Sequence, residues 1–128
     1  MGGAGLPVRP GAELEMSHLL QLPGGNRVRL DEYGHLSRRE DWSREVAVAM
    51  AAVDGLELGA GHWLVMDIMA AHYQAFGVET PMRLLVRKLR ERGAPDLASS
   101  RALYRMFPEG PVRQGSRYAG LPIPVSCI

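Results

Sequence analysis

Residues 60–76 read AGHWLVMDIMAAHYQAF and run into Gly77. Trp63, Leu64, Met66, Ile68, Met69, Ala70, Tyr73 and Phe76 make this stretch apolar on most sides. That pattern predicts a helix of about four to five turns which glycine stops. A helix without a broad polar face belongs at the centre of a fold, so the rest of the chain is expected to wrap around it.

Upstream, Trp42, Val46, Ala49, Met50 and Val53 recur at i, i+4, i+7, i+8 and i+11, an amphipathic helix ended by Gly55. Ser37 and Glu40 have the spacing of a capping box ahead of it. Downstream, Thr80-Pro81 reads as an N-cap followed by proline at the first helical position, with Met82, Leu85, Val86 and Leu89 as the buried stripe and Gly93 as the stop. Ser99 or Ser100 caps a further short helix with Leu103, Met106 and Phe107 turned inward, and Pro108 ends it. Pro111 opens a last helix that closes near Gly120. Before all of these, Asn26–Leu30 alternates polar and apolar, Asp31-Glu32-Tyr33-Gly34 reads as a turn, and His35-Leu36 returns as a short strand. Two strands cannot stand alone in water and must lie on the helices. The expected class is α+β and mostly helical: a small N-terminal β-hairpin packed on a helical bundle, with a flexible C-terminal arm.

With 128 residues the chain is one domain. Residues 1–25, crowded with glycine and proline, are expected to be a poorly ordered extension, with at most a short helical turn at 13–20. Residues 26–120 form the folded domain, and 121–128 form the arm. The longest uninterrupted apolar run is Val46–Val53, far short of the roughly 18 residues that span a bilayer. No apolar h-region marks a signal peptide, so the cytoplasm is the expected compartment.

The single cysteine, Cys127, excludes an internal disulfide and a cysteine-cluster zinc site. His18, His35, His62 and His72 lack ligand spacing, and neither a dinucleotide fingerprint nor a P-loop is present. No metal and no cofactor are therefore expected. Charge is uneven along the chain. Residues 1–82 carry eleven acids against six arginines, whereas 83–128 carry nine bases against three acids. A basic final third fits an acidic or nucleic-acid partner, and equally a solvated basic face. The helices beginning near Thr80 and Ser99 could form a helix-turn-helix, but their exposed residues are nearly all arginine, without the Asn or Gln that reads bases.

Cys127 is next to last, on a tail stiffened by Pro122 and Pro124. Seven residues beyond Gly120, at about 3.1 Å each, reach roughly 20 Å. A thiol so placed can enter another protein's pocket, whereas one meant for the core would not sit there. The terminal carboxylate of Ile128 disfavours the thiolate, so help from cations is expected. Arg83, Arg87, Arg101, Arg105, Arg113 and Arg117 are the candidates, as thiolate stabilisers or as docking residues for the arm or a partner.

DEYGHL at 31–36, EDW at 40–42, His62-Trp63, PMRLLV at 81–86, SRALYRMFPEGP at 100–111 and RQGSRYAGLPIPVSCI at 113–128 together resemble the DsrC/TusE family of sulfur-relay proteins. The resemblance covers about residues 26–128, and its last thirty residues are the most specific. It implies a small, mostly helical fold with an N-terminal hairpin and a mobile arm whose penultimate cysteine carries sulfur, a role that falls here on Cys127. The DsrC type has a second arm cysteine eleven residues upstream, where this chain has Ser116. The one-cysteine pattern is similar to the TusE type, which takes sulfane sulfur from an upstream carrier complex and helps deliver it to the enzyme that 2-thiolates tRNA. Glu109, Ile123 and Ser126 depart from the family pattern and bear on the choice of partner rather than on the thiol.

The expected function is thus a sulfur carrier that holds a persulfide on Cys127, rather than a self-sufficient enzyme. Its expected partners are an upstream sulfur-carrier complex and a downstream acceptor enzyme, with tRNA contacted through the acceptor and no membrane. The alternatives are a single-cysteine paralogue serving as adaptor or carrier in dissimilatory sulfur metabolism, and a regulatory nucleic-acid-binding module.

Overall fold

The computed structural model describes residues 18–128. Two short strands, β1 (Leu19–Gln21) and β2 (Arg27–Arg29), precede five α-helices: α1 (Arg44–Val53), α2 (Ala60–Phe76), α3 (Met82–Glu91), α4 (Ser100–Met106) and α5 (Pro111–Tyr118). Single 3-10 turns lie at Arg39–Asp41, Pro95–Leu97 and Val125–Cys127.

α2 enters the core by one face, not on most sides as its composition predicts, and Phe76 at its C-terminal end is 69% exposed. Val65, Met66, Ile68 and Met69 are buried, and the helix packs on α5 along one side and α3 along another. α5 also packs on α1. The close approach of α2 and α5 depends on Gly115, where a Cβ would sit 2.8 Å from the sulfur of Met69. The core these helices enclose includes Val46, Met50, Leu85, Leu89, Leu103, Phe107, Tyr118 and Leu121.

The hairpin is present, but its partner strand is the upstream one. β2 pairs antiparallel with β1 in the register Leu19↔Arg29, Leu20↔Val28 and Gln21↔Arg27. The five residues Leu22–Asn26 make the connection. Leu20 and Leu22 are buried, and this anchors a segment whose glycines and prolines read as loop. Residues 18–25, assigned to the extension from sequence, therefore include a strand and its turn, and residues 18–20 are not helical. The rest of the 13–20 helical turn lies outside the described residues. The turn at Asp31–Gly34 forms as expected, closed by Gly34 N donating to Asp31 O at 3.0 Å. His35-Leu36 returns only as one bridge, Leu30↔Leu36, because the chain leaves at once for the helices.

Two helix starts also differ. α1 begins two residues after Trp42, capped by Ser43, whose Oγ accepts from Val46 N at 3.2 Å. The Ser37/Glu40 pair lies ahead of the helix, around the 3-10 turn. Trp42 is thereby released from the α1 stripe to take another position. Before α3, Pro81 occupies the cap, and Thr80 is buried with its Oγ1 unpartnered rather than capping. α4 and α5 start at the positions marked by Ser99 and Pro111.

Candidate functional site: the thiol arm and its socket

The arm begins where α5 ends, and two side chains from two separate segments, Trp42 and His35, fix its root. Trp42 Nε1 donates to the carbonyl of Tyr118 at 2.8 Å. The indole fills the space that a side chain on Gly120 would need, and Gly120 itself has φ +77°, a left-handed conformation that glycine adopts without strain. His35, fully buried, bonds through Nδ1 to the carbonyl of Leu121 at 2.8 Å. A carbonyl only accepts, so Nδ1 carries the proton. Nε2 is buried without a partner. Desolvation holds the His35 pKa below its ordinary value, the nearby Arg117 and Arg113 act in the same direction, and the Leu121 carbonyl and Asp31 oppose it.

Below the root lies a polar network. Asp54, at the C-terminal end of α1, accepts from Tyr118 Oη at 2.6 Å and from Arg117 at 2.6 Å. Gln114 donates to Tyr118 Oη at 2.8 Å and accepts from Glu109 N at 2.9 Å. Burial, followed by the hydrogen bond to Asp54, pushes the Tyr118 phenol well above its usual pKa. This network ties α5 to α1 directly beneath the hinge of the arm.

Beyond the root, Leu121 and Ile123 are buried. Together with Ser116, Tyr73, Glu79 and neighbouring arm residues they line a small cavity of about 110 Å³. The tip folds into the 3-10 turn Val125–Cys127, with Cys127 N donating to Pro124 O at 2.9 Å. Cys127 is half-buried, whereas Val125 and Ile128 are exposed. From the loop between α2 and α3, Glu79 reaches the tip. Its Oε1 accepts from Val125 N at 2.9 Å, and its Oε2 accepts from Ser126 Oγ at 2.6 Å.

The arginines singled out from sequence do not form one cluster. Arg117 is committed to Asp54, with 19% of its side chain exposed, and is not a free surface cation. Arg83, Arg87, Arg101, Arg105 and Arg113 are exposed on α3, α4 and α5. Arg87 pairs loosely with Glu91 at 3.9 Å, and Arg83 and Arg87 edge a groove between α3 and the start of α4. The histidines have structural partners in two cases. His62 accepts from Gly59 N at the start of α2 and donates to Met106 O at 2.9 Å, joining α2 to α4, while His35 serves the arm. Among the described residues no group of three or more His, Cys, Asp or Glu is placed to hold a metal ion, and no helix is long and apolar enough to cross a membrane.

Sequence reading missed His35, Trp42, Glu79 and Asp54 as supports of the arm. His35 and Trp42 lie in the segments DEYGHL and EDW, but nothing local to them reveals a partner some 80 residues away.

Comparison with known proteins gives a consistent result. The family model described as "DsrC like protein" matches residues 23–128. The sulfurtransferase TusE of Salmonella typhimurium is 39% identical over 104 residues, covering 81% of this chain and 95% of that protein. TusE of Yersinia pseudotuberculosis is 38% identical over 104 residues, covering 81% and 96%. Among solved structures, the oxidized DsrC γ-subunit of the dissimilatory sulfite reductase from Archaeoglobus fulgidus superposes with a TM-score of 0.76 at 34% identity, covering 86% of this chain and 99% of that one. DsrC of Allochromatium vinosum superposes with a TM-score of 0.74 at 33% identity, covering 86% and 97%.

Proposed function

This chain belongs to the DsrC-like protein family, and from that premise we propose that it is a sulfur carrier which accepts and passes on sulfane sulfur as a persulfide on Cys127. The observation that supports this is the contrast within the arm. Its root is fixed by the buried His35 and by the hydrogen-bonded indole of Trp42, with Leu121 and Ile123 buried beside them, while its tip, with the only thiol of the chain, is held by exposed polar contacts. That arrangement suits a reactive group that must leave the body and return to it.

The Cys127 thiolate attacks the terminal sulfur of a donor persulfide. The donor S–S bond breaks, the donor leaves as a thiolate, and Cys127 becomes Cys–S–SH; no external oxidant is consumed. A second thiolate, on the acceptor, reverses the step elsewhere. The body contributes positioning, and Cys127 makes the only covalent bond. The partners in this reading are an upstream carrier and a downstream acceptor, in a relay such as the one for tRNA 2-thiouridine synthesis. A free working thiol fits the reducing cytoplasm, the compartment this reading assigns to the protein.

The test is intact mass after the reduced protein meets a persulfide donor, beside Cys127→Ser. The expected result is a gain of one sulfur, about 32 Da, that reductant removes and the variant lacks, because only a thiolate performs this exchange. An accessible thiol that gains nothing from several donors would sink the reading.

A further inference from the structure

We propose that Glu79 is a positioning residue for the Cys127 thiol, clasping the tip of the arm on the body through Val125 and Ser126 so that the thiol is presented only when the clasp opens. This rests on the carrier reading for its purpose but not for its geometry.

One carboxylate takes both bonds, with Oε1 on the Val125 amide at 2.9 Å and Oε2 on the Ser126 hydroxyl at 2.6 Å. Val125 is the first residue of the 3-10 turn that ends in Cys127. Its N–H has no partner within that turn, and a carboxylate at such an end satisfies the free donor and complements the local dipole. The clasp therefore holds the turn as well as the tip, and with it the direction of the thiol. Glu79 itself is well placed to do this. It is followed by Thr80, which is buried, and then by Pro81, whose φ is fixed, so the chain on its C-terminal side is stiff.

Both bonds lie at exposed positions. Water competes for each group there, so each contributes little net stability although both are charge-assisted. The root is the opposite case, since Leu121 and Ile123 are buried and Leu121 O is held by a buried histidine. The arm thus has a firm end and a releasable end, and the releasable end carries the thiol. Ser126 supplies half of the clasp, and a residue without a hydroxyl at 126 keeps only the backbone half.

The experiment uses the full chain in wild-type, Glu79→Gln, Ser126→Ala and Ser126→Thr forms. Two quantities are read: the alkylation rate of Cys127 by iodoacetamide at fixed pH, and the ¹⁵N heteronuclear NOE of residues 125–128. The expected result for Glu79→Gln is a rate about three- to tenfold higher, with lower NOE values at the tip, the scale set by replacing two charge-assisted hydrogen bonds with neutral ones of roughly half the strength. Ser126→Ala should show a smaller change in the same direction, and Ser126→Thr should match wild type. Ser126→Ala matters because it alters no charge near the thiol, and the Thr rescue because a general loss of structure would not discriminate the hydroxyl. Unchanged rates and NOE values in both Glu79→Gln and Ser126→Ala overturn the clasp, as does a wild-type tip already as mobile as that of Glu79→Gln. Sulfur uptake is scored separately by mass. A wild-type protein that gains no sulfur yet shows the expected rates keeps the clasp and loses the carrier reading, and the reverse pattern does the opposite.

Discussion

The indole of Trp42 occupies the space that a Cβ on Gly120 would require, and Gly120 holds a φ of +77° beneath it. Two separate penalties therefore attend Gly120→Ala, a collision with an indole anchored on the Tyr118 carbonyl and a left-handed backbone that alanine resists. The expected loss is about 2–4 kcal/mol of stability in urea unfolding, the sum of overpacking and backbone strain. Trp42 should also become more exposed, with red-shifted emission. A loss below about 0.5 kcal/mol, the range of an ordinary surface change, would mean that the indole moves aside freely.

His35 predicts a pH dependence. Its folded pKa lies below the ordinary 6.5 chiefly because burial disfavours the imidazolium. Between the lowered value and 6.5 the unfolded chain binds more protons than the folded one, so stability rises with pH through this window. The stabilising contribution is complete above about pH 7 and is lost as pH falls through 6.5, at no more than about 1.4 kcal/mol per pH unit for one group. Urea midpoints at pH 7.5 and 5.5 should fall between the two in wild type. They should fall less in His35→Gln, which does not ionise, although that variant starts lower at pH 7.5. Equal slopes would place the sensitivity elsewhere.

The fold was legible in sequence where burial is periodic. The apolar stretch 60–76 marks α2 as a core helix, though only one face of it is buried, and Ser99 and Pro111 mark two helix starts by local chemistry alone. The hairpin partner was not legible. Leu19–Gln21 is too short to show alternation, and the glycines at its turn also fit a loose extension. Trp42 shows the same difficulty at the site. Its spacing to Val46 fits a helical stripe, but the Ser43 cap starts the helix after it, and only the fold brings it to Gly120. Cys127 is singled out by its position near the chain end, whereas Glu79 is not, because a single carboxylate before Thr-Pro carries no local sign of the arm it bonds.

Tyr118 predicts the alkaline limb. Its folded pKa is raised above 10 by burial and then by the bond to Asp54. A raised folded value means that stability is intact below pH 10 and is lost as pH climbs beyond it. Of the four tyrosines, Tyr118 should therefore ionise only when the protein unfolds, visible at 295 nm as a delayed step that coincides with loss of helical circular dichroism. Tyr118→Phe should remove that delayed step. It should also cost about 1–3 kcal/mol at neutral pH, because Asp54 and Gln114 each lose a partner. An early step for all four tyrosines would contradict the buried hydrogen bond.

Ser116 lies beneath the arm, with 1% of its surface exposed, and lines the same small cavity as Leu121, Ile123 and Val125. The resemblance to the DsrC type implies a cysteine at this position there, and a thiol here would face the chain segment that carries Cys127. Ser116→Cys should fold, since sulfur adds little volume and a cavity of about 110 Å³ adjoins it. Mild oxidation with diamide should then join residues 116 and 127, with two hydrogens passing to the oxidant and the mass falling by about 2 Da, provided the Cα atoms can approach to within roughly 7 Å. If the clasp holds the thiol away from residue 116, that approach requires the tip to leave Glu79 and fold back over its own root. The disulfide should therefore form faster in Ser116→Cys combined with Glu79→Gln than in Ser116→Cys alone, as timed by loss of free thiol. If both thiols stay free under oxidation yet react once the protein is unfolded, the arm does not reach its root, and the clasped tip moves only outward.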